Sequence, residues 1–110
     1  MSDMEAVQAA LKGDRGDDQK RIAEQGLATI ATLLRKNADY GCSVWQAPVF
    51  APGMEPGDAI LVRMSDKVNR LATLLAKGSA GEVDESIDDT LGDLGAYSIL
   101  YLARPSEASA

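Results

Sequence analysis

Histidine is missing from all 110 residues, and Cys42 is the only cysteine. These two scarcities remove several chemistries at once. Ser-His-Asp and Cys-His nucleophilic mechanisms, Cys/His zinc sites and HExxH metallohydrolases all need side chains that the chain does not own. A single cysteine also forbids an intrachain disulfide, which fits a reducing compartment, and it reads as buried filler. Aromatics make up only 5% of the residues, so aliphatic side chains must fill the interior. No apolar run approaches the roughly 18 to 20 residues that span a bilayer, and the polar start MSDMEAVQ lacks the apolar core of a signal peptide. The expectation is a cytoplasmic protein with no membrane partner. Net charge is -6, which disfavours a nucleic-acid polymer, whose binding requires many phosphates to be neutralised. A single nucleotide is not excluded, because a few local Lys and Arg residues with a cation can hold a triphosphate on an acidic protein. What remains is oxygen-ligand chemistry.

The chain has room for one domain, with a core of modest size. Residues 1–17 hold a short helical stretch, MEAVQAALK, followed by GDRGDD, and read as a flexible N-terminal arm. The RGD within it reads as a solvated turn. A helical domain is expected over residues 18–104, with a disordered tail at 105–110. Its first helix covers about Asp18 to Tyr40, where Ile22, Ala23, Leu27, Ile30, Ala31 and Leu34 share one face. Four prolines in the chain include Pro48, Pro52 and Pro56, so the stretch from Gly41 to Gly57 cannot be regular helix. Loops of that length are often functional, and this one carries the only tryptophan, Trp45, and the only phenylalanine, Phe50.

A second helix is expected from an Asp58 N-cap to about Lys77, with Gly78 as its stop. Ile60, Leu61, Met64, Val68, Leu71, Ala72 and Leu75 form its apolar side, and Arg63, Asp66, Lys67 and Arg70 gather on the other. A third runs from about Val83 to Ala103 and stops before Pro105. Sustained period-two alternation is absent, so the fold class is all-α, an antiparallel helical bundle. Three main helices make a thin layer, and self-association as a homodimer or homotetramer is expected to complete the core.

On the third helix Glu82, Glu85, Asp89 and Asp93 recur at spacings of three and four, one stripe of like charges that repel unless solvated or bridged. One reading is a solvated acidic face. The other is a hard-cation site, with Glu85, Asp89 and Asp93 as ligands for Mg²⁺ or Mn²⁺. Lys67 and Arg70 beside Asp66 offer either intrahelical ion pairs or phosphate contacts.

The segments SDKVNRL (Ser65 to Leu71), ESIDDTLGDLGAY (Glu85 to Tyr97) and KNADYGCS (Lys36 to Ser43) together resemble the MazG-like all-α nucleoside triphosphate pyrophosphohydrolases. The resemblance is nearest to a branch found in phage genomes as nucleotide-modification-associated domains. It implies a MazG-like bundle that cleaves between the α and β phosphates of a nucleoside triphosphate with Mg²⁺, in the cytoplasm, a host's if phage-encoded. A purine deoxynucleotide, dGTP or dATP, is the substrate it implies first. That family carries E-x-x-E on one helix and E-x-x-D on the next. Here Asp66 is the only acid of the first motif, Arg63 stands where a glutamate would, and Thr90 holds the glutamate position if Asp93 is the final aspartate. A literal E-x-x-D also occurs at Glu85 and Asp88. The roles implied are Asp66, Lys67 and Arg70 as catalytic groups, Glu85, Asp89 and Asp93 on metal, and Lys36, Tyr40, Trp45 and Tyr97 on the nucleotide. The missing first motif leaves an alternative, a non-catalytic dimeric binding or regulatory module of the same fold.

Overall fold

The structure is a computed structural model. It describes residues 1–40, 43–78 and 81–105, without the side chains of 39, 40 and 81–84. Among these residues the regular structure is four α-helices and one 3₁₀ turn, with no strand. The chain divides into two compact units, Met1–Asp39 and Tyr40–Ala110.

In the first unit, the short helical stretch expected at MEAVQAALK is a capped helix, α1 (Asp3–Lys12). The Ser2 hydroxyl accepts from the Glu5 N–H at 3.1 Å, and the Glu5 carboxylate accepts from the Ser2 N–H at 3.2 Å. This reciprocal pair satisfies two donors that a helix start leaves without partners. The Ser2 hydroxyl and N–H accordingly hold the Glu5 carboxyl below its ordinary value. At the other end Gly13 adopts φ 88°, its N–H donates to the Ala10 carbonyl and the Asp14 N–H to that of Ala9. That left-handed stop is why glycine stands there. Helix α2 (Asp17–Tyr40) follows with Asp17 and Asp18 in its first turn, where carboxylates complement the helix dipole. Arg21 pairs with Asp18. The expected apolar stripe exists, and Ile22, Leu27, Ile30 and Leu34 on it are exposed.

The second unit begins its described part with a 3₁₀ turn over Ser43–Trp45. Two successive turns follow, closed by Ala51 N–H to the Pro48 carbonyl and Met54 N–H to the Ala51 carbonyl, each at 3.0 Å. Helix α3 (Pro56–Lys77) starts two residues before the expected Asp58 cap. Its N-cap is Glu55, because Pro56 at the first helical position has the right φ and no N–H to lose. Gly78 at φ 81° ends it. Helix α4 (Gly81–Leu102) packs antiparallel on α3.

The start of α3 and the end of α4 lie close together. A Cβ placed on Gly57 would lie 3.1 Å from the Arg104 Nε and 3.4 Å from the Tyr101 ring, so glycine here admits the end of α4 against the start of α3. The C-terminus of α4 has no glycine cap. Instead, the carbonyl of Ile99 accepts from Ala103 N–H, that of Leu100 from the Trp45 indole, and that of Tyr101 from Arg104. Side chains thus do what a left-handed glycine does elsewhere. Arg104 also lies over the Tyr101 ring, 3.9 Å from its centroid. The buried apolar side chains of this unit are Ala59, Ile60 and Leu74, with Ile60 wholly enclosed.

Candidate functional site

Lys67 lies midway along α3 and Asp93 midway along α4, and the antiparallel register brings them level. Their ion pair, Lys67 Nζ to Asp93 Oδ2, measures 2.9 Å across the hairpin. Both side chains are half-buried, the lysine 30% and the aspartate 44% exposed. The hydrogen bond to Asp93 raises the Lys67 ammonium above the ordinary lysine value of 10.5, partial burial opposes the rise, and Tyr97 adds to it while Arg70 subtracts. Two cations, one carboxylate and one phenol therefore act on each other at one level of the hairpin. Because the folded-state pKa is the higher one, the pair stabilises fully below about pH 10 and ceases to do so as pH rises through the folded value. Urea unfolding from pH 7 to 11 should show a constant difference between wild type and Lys67→Met at neutral pH, which shrinks as the pH rises above the ordinary lysine value. With both groups this exposed, the difference should stay under about 1 kcal/mol.

The other described acids of α4 do not join this pair. Glu85, Asp88 and Asp89 are exposed. The reason is helical drift: at 100° per residue each four-residue step rotates the stripe by about 40°, so Glu85 has turned about 80° away from the direction of Asp93. The two are also about 12 Å apart along the axis. Among the described residues no group of three or more acid or cysteine side chains is placed to share a metal ion. The side chain of Glu82 lies outside the described residues.

The face that α4 turns toward α3 includes a residue that only the family pattern had singled out. Thr90 is 2% exposed, and its hydroxyl donates to the Ser86 carbonyl at 2.6 Å. The position where the resemblance places a glutamate is thus a satisfied, buried threonine. Its burial was foreshadowed by its spacing from Asp93 and Tyr97, which keeps to one helix face. Asp66 and Arg70 are exposed on α3, and Tyr97 is half-buried on α4. Lys36 is exposed on α2, in the first unit. The side chain of Tyr40 lies outside the described residues.

Compared with protein-family models, curated proteins and solved structures, the chain matches none.

Trp45 is half-buried, and its indole N–H donates to the Leu100 carbonyl at 3.0 Å. That bond ties the loop to the end of α4 and satisfies a carbonyl the helix leaves open. Trp45→Phe keeps the ring and deletes the donor, so we expect a loss of about 1 kcal/mol in urea unfolding. A tryptophan that served only to stack on a base would give the opposite pattern, unchanged stability with weakened nucleotide binding.

Mg²⁺ takes hard oxygen ligands and commonly uses one or two carboxylates, retained waters and substrate phosphates rather than an all-protein cage. Among the described residues Asp89 and Glu85 do not converge on Asp93, whose carboxylate is paired with Lys67, so no such ligand set is assembled on α4.

Proposed function

We propose that this chain is a Mg²⁺-dependent nucleoside triphosphate pyrophosphohydrolase of MazG-like fold, acting on a purine deoxynucleotide, dGTP or dATP. What supports the reading is the junction of Lys67 with Asp93. The two segments that resemble the family, 65–71 and 85–97, each supply one member, and Arg70 and Tyr97 act on the same ammonium. Cations beside a carboxylate on a half-buried helix face suit a polyphosphate next to a metal.

In this reading Asp93 is the principal ligand for Mg²⁺, or for Mn²⁺ in its place, with Asp89 and Glu85 supporting it. The metal, when bound, supplies charge neutralisation for the polyphosphate and a more acidic water. Lys67 and Arg70 hold phosphate oxygens and offset charge that develops on them as the bond between the α and β phosphates breaks. Asp66, exposed on the same helix, completes the catalytic group with Lys67 and Arg70. Tyr97 borders the nucleotide, while Trp45 steadies the loop. We place the protein in the cytoplasm, a host cell's if phage-encoded. No helix among the described residues is long and apolar enough to cross a membrane.

Self-association belongs to the same proposal. Ile22, Leu27, Ile30 and Leu34 on α2, and Val68, Leu75 and Leu91 on the hairpin, are exposed. A homodimer or homotetramer would cover such faces.

A second reading, a non-catalytic dimeric binding or regulatory module, draws on a specific observation: the described acids do not converge, and Asp93 is already neutralised by Lys67. Pyrophosphate release from the eight common ribo- and deoxynucleoside triphosphates, with Mg²⁺ and with Mn²⁺, separates the two. Turnover of one or two purine nucleotides is the expected result. Silence with every nucleotide and both metals would leave the binding module.

A further inference from the structure

Helix α2 spans 24 residues, and none of its described side chains is buried. Helices in folded proteins draw most of their stability from burying an amphipathic face, so α2 lacks its principal support within the chain. The face itself is well formed. At about 100° per residue, Ile22, Gly26, Leu27, Ile30, Leu33 and Leu34 lie within about 80° of one line. Gln19 and Asn37 fall on that line and bound the stripe with polar groups. The stripe reads alike in both directions: about the level of Ala28, Gln19 mirrors Asn37, Ile22 mirrors Leu34 and Gly26 mirrors Ile30. Glycine inside a helix costs stability, and Gly26 has neither a positive φ nor any atom within 4 Å of where its Cβ would stand. Nothing in the described chain calls for it, whereas opposite Ile30 of an antiparallel copy it leaves room for that side chain.

The charges fit the same arrangement. In an antiparallel pair the same flank of each stripe meets its counterpart, which brings Glu24 within about one turn of the partner's Arg35 and Asp18 within about one turn of the partner's Lys36. Among the described residues Glu24, Arg35 and Lys36 have no ion-pair partner; Arg35 donates to the Thr32 hydroxyl at 3.5 Å, and Asp18 pairs with Arg21. A parallel pair would instead set Asp17 and Asp18 against their counterparts, and Arg35 and Lys36 against theirs. Resting on the self-association of the reading above, we infer that its interface is α2 and that the occupant of the stripe is α2 of a second copy. The two helices run antiparallel, centred at the level of Ala28, with Gly26 admitting the partner's Ile30 and Glu24 meeting the partner's Arg35. A helix about 36 Å long gives a contact near the lower bound of specific interfaces, about 1,000 Å² in total, so the association should be micromolar.

The test is sedimentation equilibrium of the full chain, for wild type, for Glu24→Arg and Arg35→Glu each alone, and for an equimolar mixture of the two variants. Both positions are exposed, so neither substitution disturbs packing within the chain. Each variant alone sets like charges against each other at both Glu24–Arg35 contacts and should weaken self-association about tenfold or more. The mixture should recover near wild-type affinity, because a heterodimer again places opposite charges at both contacts. Glu24→Arg moves the net charge of -6 toward zero and Arg35→Glu moves it further away, so an unspecific charge effect would change the two in opposite directions. Wild-type association that neither variant weakens, opposite changes in the two, or weakening in both without recovery in the mixture overturns the antiparallel α2 interface and leaves self-association through another face. A wild-type monomer at every concentration overturns the self-association of the reading above and this inference together, while pyrophosphate release decides the enzyme reading independently.

Discussion

Asp93→Asn should lower pyrophosphate release at least about 100-fold, the scale seen when one group that stabilises a reacting phosphate or its metal is removed. The substitution is nearly isosteric, so any effect comes from charge. Its structural cost should be small, because the pair with Lys67 is 30% and 44% exposed and such pairs contribute about 1 kcal/mol or less. The expected signature is therefore a loss of turnover with a helical circular dichroism spectrum and melting temperature close to wild type. Asp89→Asn, on the exposed part of the helix, should lose less. If Asp93→Asn turned over at the wild-type rate, Asp93 would have no role on metal or phosphate. If the variant instead lost its fold along with its activity, the Lys67 pair would be structural, which the exposure of both groups argues against.

The largest loss of stability should come from Ile60→Ala. Ile60 is 0% exposed and is the only large side chain among the described residues that is fully enclosed. Removing its three outer carbons costs the transfer free energy and leaves a cavity, together about 3 kcal/mol. For a unit of this size that shifts the midpoint of thermal unfolding by roughly 15 °C. Ile60→Val should lose only about 1 kcal/mol, and the ratio of the two tests whether the effect is cavity formation. Should Ile60→Ala melt within a few degrees of wild type, the core of the α3–α4 hairpin would not be centred on Ile60.

Much of the hairpin was legible because its rules are local. Apolar spacing marks α2, α3 and α4, and Gly78 and Pro105 lie just beyond helix ends. The boundaries that moved did so through capping. Pro56 extended the start of α3, and the Ser2/Glu5 box and the Gly13 stop fix the bounds of the expected short helix α1. Both signals are present in the residues, yet they compete with the turn propensity of GDRGDD. Trp45 illustrates another limit. Its place in a proline-rich loop said that it matters, but a hydrogen bond to a residue 55 positions away has no local trace.

By itself the sequence determined the all-helical class, the chemistries that the lack of histidine removes, and the two segments that carry Lys67 and Asp93. Only the tertiary structure decided which member of the acidic stripe meets α3. Spacing of four keeps Glu85, Asp89 and Asp93 near one another on a helical wheel, but it says nothing of where a second helix lies, and the 40° drift per step lets only part of such a stripe face a neighbour. The antiparallel register of α4 on α3, with its close approach at Gly57, made that residue Asp93 and placed Thr90 in the buried interior.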